Sequence, residues 1–426
     1  MGLDPDRARV RFIAWRIVPL LAAVLLLSYL DKVNIGFAAL QMNKALGLSN
    51  SAFGVAAGLF ALSYALAAIP STILLRRVGA RRWISWVMLV WGLCSAATAF
   101  VASPKQLMLA RVALGAAEAG FTPGVIFYLN SWFPKAYRGR ILGSFLAILP
   151  VSIVVGGPLS SALLGWDGLL GFSGWQWLFL VEGLPTVLLA VCVRIFLADT
   201  PDDARWLSAV DRVWLKTKLD AEASEIAVSH AAKPSQSGSP RALLRRRSAR
   251  LGLVYLGIST SGAGALIFLP LLIRSMGFSI RASSALAAFP ALVSAAMLPI
   301  WGYWTDRAQR REWVVSATCL SLCVGLAGTA MVFPSPWALI PLTLAFIGYF
   351  GSVAPFWTLP SSFLTGVAAA ATIAAINVTG NIGAFFGPAL LGSLSDRFGS
   401  YSPGLYFMAI VALLASIGVL TSAGKS

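Results

Sequence analysis

The sequence predicts an all-α integral membrane protein with twelve transmembrane helices in two six-helix bundles. Three observations lead there. The 426 residues are 58% hydrophobic and only 12% charged, a balance that excludes a water-soluble enzyme. The apolar residues gather into about twelve helix-spanning runs, near 17–40, 53–75, 83–102, 106–132, 141–164, 175–197, 251–273, 283–304, 313–333, 337–362, 370–394 and 402–421. The pattern of the first half also returns in the second at an offset of roughly 230 residues. Continuous runs of this length, without short alternating segments, exclude an outer-membrane barrel.

The net charge of +17 is informative through its distribution. Of 33 Lys and Arg, 26 lie in the N-terminal tail, the 76–82, 135–140 and 307–311 loops, the central segment with its flank at Arg194, and Lys425. Five (Lys44, Lys105, Arg274, Arg281, Arg397) lie in the alternate loops, and two (Lys32, Arg111) inside spans. This asymmetry places both termini and the central loop in the cytoplasm and removes the nucleic-acid reading of the charge. The first apolar run lacks a small-residue cleavage site after it and reads as a retained span. The four cysteines, Cys94, Cys192, Cys319 and Cys323, fall inside spans and behave as small hydrophobes, with no disulfide, metal or cofactor pattern.

Taken in order, the first span ends in SYLDKVNIGFAAL, where Tyr29, Asp31, Lys32 and Asn34 interrupt a Leu/Ala/Val helix. An acid beside a base inside a span is a functional-site candidate; the alternative is that Lys32 snorkels outward and Asp31 pairs with it. The second span holds Tyr64 and ends in a tight basic loop with Arg81 and Arg82. The fourth, LMLARVALGAAEAGFTPGVIFYL, carries Arg111 and Glu118. Seven residues apart, they share a helix face about 10 Å from one another. Small residues around them allow a helix or a ligand to come close. They read either as a structural ion pair or as an anion site with a protonatable carboxylate beside it. The surrounding frame favours the anion site.

In the fifth span Gly156, Gly157 and Pro158 permit a bend. The sixth opens GWQWLFLVEGLP, with Trp175 and Trp177 suited to an interfacial belt and Glu182 expected to be shallow and structural. Residues 199–250 form a cytoplasmic linker, an amphipathic surface helix followed by a Pro/Ser/Gly stretch and the basic cluster Arg245 to Arg247. His230, the only histidine, is here, so proton coupling inside the membrane falls to carboxylates.

The repeat pairs Phe37 with Phe268, the basic loop after span two with GYWTDRAQRR at Gly302, Gly157-Pro158 with Gly387-Pro388, and Pro123 with Pro355. This divides the chain into an N-terminal bundle (1–198), the linker (199–250) and a C-terminal bundle (251–426), related by a pseudo-two-fold axis along the membrane normal. The second half lacks the charges: Thr343, Phe350 and Ser261 stand for Arg111, Glu118 and Asp31. It offers Trp357, Asn377 and Asn381 instead.

YLDKVNIGFAALQMNKALGLS, GWQWLFLVEGLP and PDDARWL…DRVWL resemble the anion:cation symporter family of the major facilitator superfamily, over nearly the whole chain, and bacterial tartrate, phthalate and aromatic-acid permeases in particular. Gly302-x3-Asp306-Arg307 is similar to the superfamily's cytoplasmic loop motif, but its first-half copy has Arg76 where an acid is usual. The family usually has Arg where this chain has Lys32, a cation without the bidentate fork. The resemblance implies that Arg111 binds the substrate carboxylate and that Asp31 and Glu118 carry coupling protons. It also implies a pocket lined by Tyr64 and a span-eleven asparagine, with Tyr29, Lys32 and Trp357 as further candidates. Arg81, Arg82, Asp306 and Arg307 are the gating candidates.

The expectation is therefore a monomeric, multi-pass inner-membrane importer that couples protons to a small organic anion (a hydroxy-diacid, sugar acid or aromatic acid) by alternating access. It needs no cofactor and binds no nucleic acid. Burial disfavours the charged form of a carboxyl, so Asp31 and Glu118 can exchange protons and compete with the anion for Arg111. The rival is a membrane receptor or scaffold whose buried charges only hold the bundle. A membrane enzyme is the weaker reading still, with no histidine cluster, metal-ligand spacing or nucleophile–base pair in the sequence.

Overall fold

A chain segment in hydrocarbon must satisfy its backbone internally, and these apolar runs do so as helices. The computed structural model describes residues 5–146, 148–232, 241–361 and 366–422. The first half runs α1 (Pro5–Ala45), α2 (Asn50–Val78), α3 (Ala80–Thr98), α4 (Pro104–Glu118), α5 (Phe121–Trp132), α6 (Lys135–Leu146), α7 (Ile148–Leu164) and α8 (Gly174–Phe196). The linker helix is α9 (Ala209–Ala232). The second half runs α10 (Arg241–Ser275), α11 (Ile280–Leu286), α12 (Ala288–Arg307), α13 (Arg311–Val332), α14 (Leu339–Ser361), α15 (Gly366–Phe398) and α16 (Ser402–Ser422).

Among the described residues, ten helical stretches are long and apolar enough to cross a membrane, and Val151–Leu164 is a shorter apolar helix. The remaining span, α3, has 19 residues and opens with Arg81 and Arg82. The Pro/Ser/Gly part of the linker (233–240) and Lys425 lie outside the described residues. The basic cluster at Arg245 to Arg247, expected in the linker, belongs to the first turns of α10.

Two expected spans are broken, each just before a proline. Pro123 has no N–H for the carbonyl of Ala119, so α4 stops at Glu118 and α5 begins at Phe121. Gly120 fills the break because a Cβ there would lie 2.6 Å from Trp83 Nε1. Pro290 likewise has no N–H for the carbonyl of Leu286, so α11 stops there and α12 begins at Ala288. The first break leaves Glu118 as the last residue of its helix.

The linker helix α9 packs on the first half at the end that carries the N-terminus. Arg9 pairs with Asp211 at 2.8 Å and lies over Trp214, while Glu222 accepts from the Lys135 N–H at 2.7 Å and from Arg138 at 3.1 Å. Leu215 of α9 is fully buried.

The hydrogen bonds seen between the halves cluster at the opposite end, where α1 finishes and α2 begins. Gly54 of α2 faces the Pro388 carbonyl, Gly392 of α15 faces Asn50, and Gly36 of α1 faces Ile267; a Cβ at any of them would collide with backbone. At the start of α2, Asp396 of α15 accepts the backbone N–H groups of Asn50 (3.0 Å) and Ser51 (2.7 Å), and Ser49 accepts that of Ala52 (3.1 Å). The Asn50 amide donates to Ser395 Oγ and its carbonyl accepts from the Tyr401 hydroxyl, both at 3.1 Å. Across the other seam, Ser161 of α7 donates to the Arg281 carbonyl at 3.0 Å and Arg281 reaches the Gly165 carbonyl at 3.5 Å.

Asp396 thus caps, from one half, a helix that belongs to the other. Exposed as it is, the cap is worth about 0.7 kcal/mol, or a factor of about three in a conformational ratio. Asp396→Ala is expected to raise the population with this end separated by that factor, read as a longer distance between spin labels on α2 and α15. An unchanged distance distribution would remove the cap from the closure.

Candidate functional site

Residues three apart on a helix share a side, and α1 uses this to sort its polar groups. Ser28, Asp31 and Asn34 form one buried row, with exposures of 0%, 2% and 1%. Tyr29 and Lys32 occupy the next face. Asp31 receives three donors: Trp91 Nε1 and Ser95 Oγ of α3, each at 2.6 Å, and Asn34 Nδ2 at 3.0 Å. The same Asn34 nitrogen lies 2.7 Å from Glu182 Oε2 of α8.

Lys32 does not pair with Asp31, because adjacent helical residues point about 100° apart. Its ammonium instead lies 3.1 Å from Glu118 Oε1, which also accepts from the Ser28 hydroxyl. Lys32 retains 22% of its side-chain exposure while Glu118 retains 1%. The ammonium sits 4.6 Å from the Tyr29 ring and 5.3 Å from the Tyr64 ring. Glu118 Oε2 has no hydrogen-bond partner.

Arg111 and Glu118 both lie on the buried side of α4, with Leu107, Leu114 and Gly115. The Arg111 guanidinium is 4.8 Å from the Phe60 ring centroid and the residue is 1% exposed. Its Nε and Nη1 atoms make no hydrogen bond, although Asp31 and Glu118 both act on it electrostatically. A buried guanidinium with unmade bonds is costly, so these donors are free for a further acceptor.

The second half presents aromatic groups toward this region. Tyr255 and Tyr349 lie within electrostatic range of Tyr29. The Tyr255 ring stacks on Phe356 at 4.8 Å and meets the edge of Trp357 at 5.1 Å. Asn377 and Asn381 flank Gly380, whose absent Cβ makes room for the Tyr255 ring, and the Asn381 amide donates to Asn377 Oδ1 at 2.9 Å. The residues that replace the first-half charges are satisfied locally: Ser261 donates to the Met408 carbonyl and Thr343 to that of Leu339.

The loop residues stand apart from this cluster. Arg81 bonds Asp199 through its backbone N–H at 3.0 Å and the Leu197 carbonyl through Nη1 at 3.2 Å, tying α3 to the end of α8. Arg82 and Asp306 are exposed, and Arg307 lies 4.1 Å over the Tyr303 ring. Among the described residues no group of His, Cys, Asp and Glu could hold a metal ion.

Sequence reasoning did not anticipate Ser28, Trp91, Ser95, Phe60, Tyr255 or Tyr349 at the site. Only Ser28, one turn before Asp31, had a spacing that could have flagged it. Glu182, expected to be shallow, is 2% exposed. It lies eight residues, about 12 Å, into α8, beside the crossing where Gly183 and Gly92 bring α8 and α3 into backbone contact.

A family model described as "Major Facilitator Superfamily" matches residues 21–388. The chain is 42% identical over 424 residues to a protein of Agrobacterium vitis named "Putative tartrate transporter", covering 99% of this chain and 96% of that one. It is 37% identical to a "Quinolone resistance transporter" of Acinetobacter baumannii (97% and 95% covered) and 34% to "Inner membrane transport protein RhmT" of Escherichia coli K12 (95% and 93%). Among solved structures, a bacterial homologue of the human lysosomal transporter Spinster, inward-facing and occupied, aligns with TM-score 0.77 at 19% identity, covering 99% of this chain and 98% of that one. The inward-open xylose transporter XylE of E. coli aligns with TM-score 0.76 at 13% identity, covering 97% of each.

The Lys32–Glu118 pair has a stability signature. Lys32→Met leaves Glu118 a buried charge whose remaining hydrogen bond is from Ser28 and is expected to destabilise the protein by about 3 kcal/mol. Adding Glu118→Gln should recover most of that loss, because the orphaned charge is gone. Melting curves of the two single variants and the double variant test this; simply additive losses would show that the two side chains do not interact.

Proposed function

The chain belongs to the major facilitator superfamily, and from that premise we propose that it is a proton-coupled importer of a small organic carboxylate, with Glu118 and the substrate competing for Lys32. It is a multi-pass membrane transporter, not an enzyme. One observation carries the proposal: a partly exposed cation and a fully buried carboxylate are paired at 3.1 Å. A carboxylate arriving at Lys32 meets an ammonium already engaged. A proton on Glu118 dissolves that engagement and leaves Lys32 free for the anion. Once the proton departs, Glu118 reclaims the lysine and the anion is expelled.

In this reading Lys32 makes the first contact with substrate, because it keeps its exposure toward Tyr29 and Tyr64 whereas Arg111 is enclosed beside Phe60. Arg111 balances Asp31 and Glu118, and its free Nε and Nη1 offer a second anchor when the pocket rearranges. Tyr29, Tyr64, Trp357, Asn377 and Asn381 form the wall that selects the rest of the substrate, and Asp31 carries a second coupling proton. Residues 1–198 and 251–426 are the moving bodies, 199–250 joins them, and Arg81, Arg82, Asp306 and Arg307 act at the cytoplasmic gate. The basic bias of alternate loops supports cytoplasmic termini in a bacterial inner membrane. The two A. vitis proteins named "Putative tartrate transporter", 42% and 41% identical, support a carboxylate as cargo.

Purified protein in liposomes, given a panel of hydroxy-diacids, sugar acids and aromatic acids, tests this reading. An inwardly directed proton gradient should drive accumulation of at least one carboxylate beyond equilibrium, and a protonophore should abolish it. Accumulation indifferent to the gradient, or transport confined to neutral and cationic solutes, would overturn it.

A further inference from the structure

Glu182 has no place in that scheme, yet it is as deeply buried as Asp31. Its geometry contains a hydrogen-bonding problem. Asn34 Nδ2 lies 3.0 Å from Asp31 Oδ1 and 2.7 Å from Glu182 Oε2, so the amide nitrogen faces two carboxylates and its orientation is fixed by both. Asn34 Oδ1 is buried and has no donor among the described residues. A buried amide oxygen without a donor is disfavoured. An ionised Glu182 can only accept, so it cannot relieve this; a protonated one has an O–H to give. We propose that Glu182 carries a proton in this state and closes a two-bond acid–amide pair with Asn34, its O–H donating to Asn34 Oδ1 while Asn34 Nδ2 donates to its carbonyl oxygen. Glu182 is then a third proton-bearing carboxyl of the protein and the positioning residue that aims Asn34 at Asp31.

The surroundings agree. From α1 the titratable group facing Glu182 is Asp31, beyond Asn34. From α3 come Trp91 and Ser95, both committed to Asp31, and the thiol of Cys94; α7 carries no ionisable side chain. Among the described residues no cation is bonded to Glu182, and the Gly92–Gly183 crossing closes its flank. The count of charge points the same way. The buried cluster holds two cations, Lys32 and Arg111, and three carboxyls, Asp31, Glu118 and Glu182. With Glu182 neutral the cluster is balanced, and a proton on Glu118 gives it one net positive charge with which to attract one carboxylate. With Glu182 ionised, the same proton would only bring the cluster to zero. This consequence rests on the proposed role of Glu118; the protonation of Glu182 itself does not.

Infrared difference spectroscopy on purified protein at neutral pH, with deuterium exchange, separates the two. The carbonyl band of a protonated carboxylic acid should be present in the wild type, disappear in Glu182→Gln, and persist in Glu118→Gln and Asp31→Asn. In Asn34→Ala it should persist but shift to higher frequency, because the acid loses its amide partner. That second reading decides the matter if Glu182→Gln does not fold. A band unaffected by both Glu182→Gln and Asn34→Ala, or no band at all in the wild type, overturns the proposal. Rescue supplies the positioning test: Glu182→Gln should melt near the wild type, since an amide keeps both bonds to Asn34, whereas Glu182→Met should melt lower. Equal melting of the two variants would show that Glu182 does not orient Asn34. None of these outcomes depends on which solute is transported.

Discussion

The arrangement depends on a lysine and a glutamate that meet where water is scarce. At 3.1 Å and an effective dielectric constant of about 20, their attraction is about 5 kcal/mol. Removing both charges from water costs several kcal/mol of the opposite sign. The net is small, and that is the useful property. A pair held by a large surplus could not be opened by one proton, and a pair in bulk water would offer no leverage. Partial exposure of Lys32 and full burial of Glu118 set the balance, with Ser28 steadying the carboxylate and two tyrosine rings steadying the ammonium.

The break between α4 and α5 has a place in this balance. It makes Glu118 the last residue of α4, at an interruption that Pro123 and the Gly120–Trp83 contact accompany. The halves meet at the far end through helix caps and close glycine contacts, not through buried ion pairs. Asp396 on the start of α2 and Arg281 at the end of α7 contribute bonds of modest strength at exposed positions. Strong charge interactions are thus concentrated at the cluster and weak ones at the seam, an arrangement in which the occupancy of the cluster can decide whether the seam stays shut.

Much of the fold was legible because bilayer physics leaves few alternatives. Apolar runs of helical length become helices, and the internal repeat announces two bundles. What the sequence could not show were the breaks at Ala119 and Ala287, where one proline outweighs an otherwise continuous apolar pattern. At the site, Arg111, Glu118, Asp31 and Lys32 stood out because charge inside a span is conspicuous. Their pairing did not, since sequence adjacency suggested Asp31 with Lys32 while helix geometry sends the two in different directions. Ser95, Trp91 and Phe60 were invisible for a simpler reason: nothing distinguishes a serine or an aromatic ring at a site from the many in ordinary packing. The close packing around Glu182 was not legible either, because it is set by the glycine crossing where α8 meets α3.

The central claim is that proton and anion compete for one lysine, and proton uptake on binding reads this most directly. Isothermal titration of a transported carboxylate into purified protein, repeated in buffers of different ionisation enthalpy at a pH where Glu118 is ionised, yields the number of protons absorbed per anion bound. The account predicts at least one proton per anion for the wild type, and one fewer for Glu118→Gln with binding retained. Anion binding with no proton uptake in the wild type, or with equal uptake in Glu118→Gln, would contradict it.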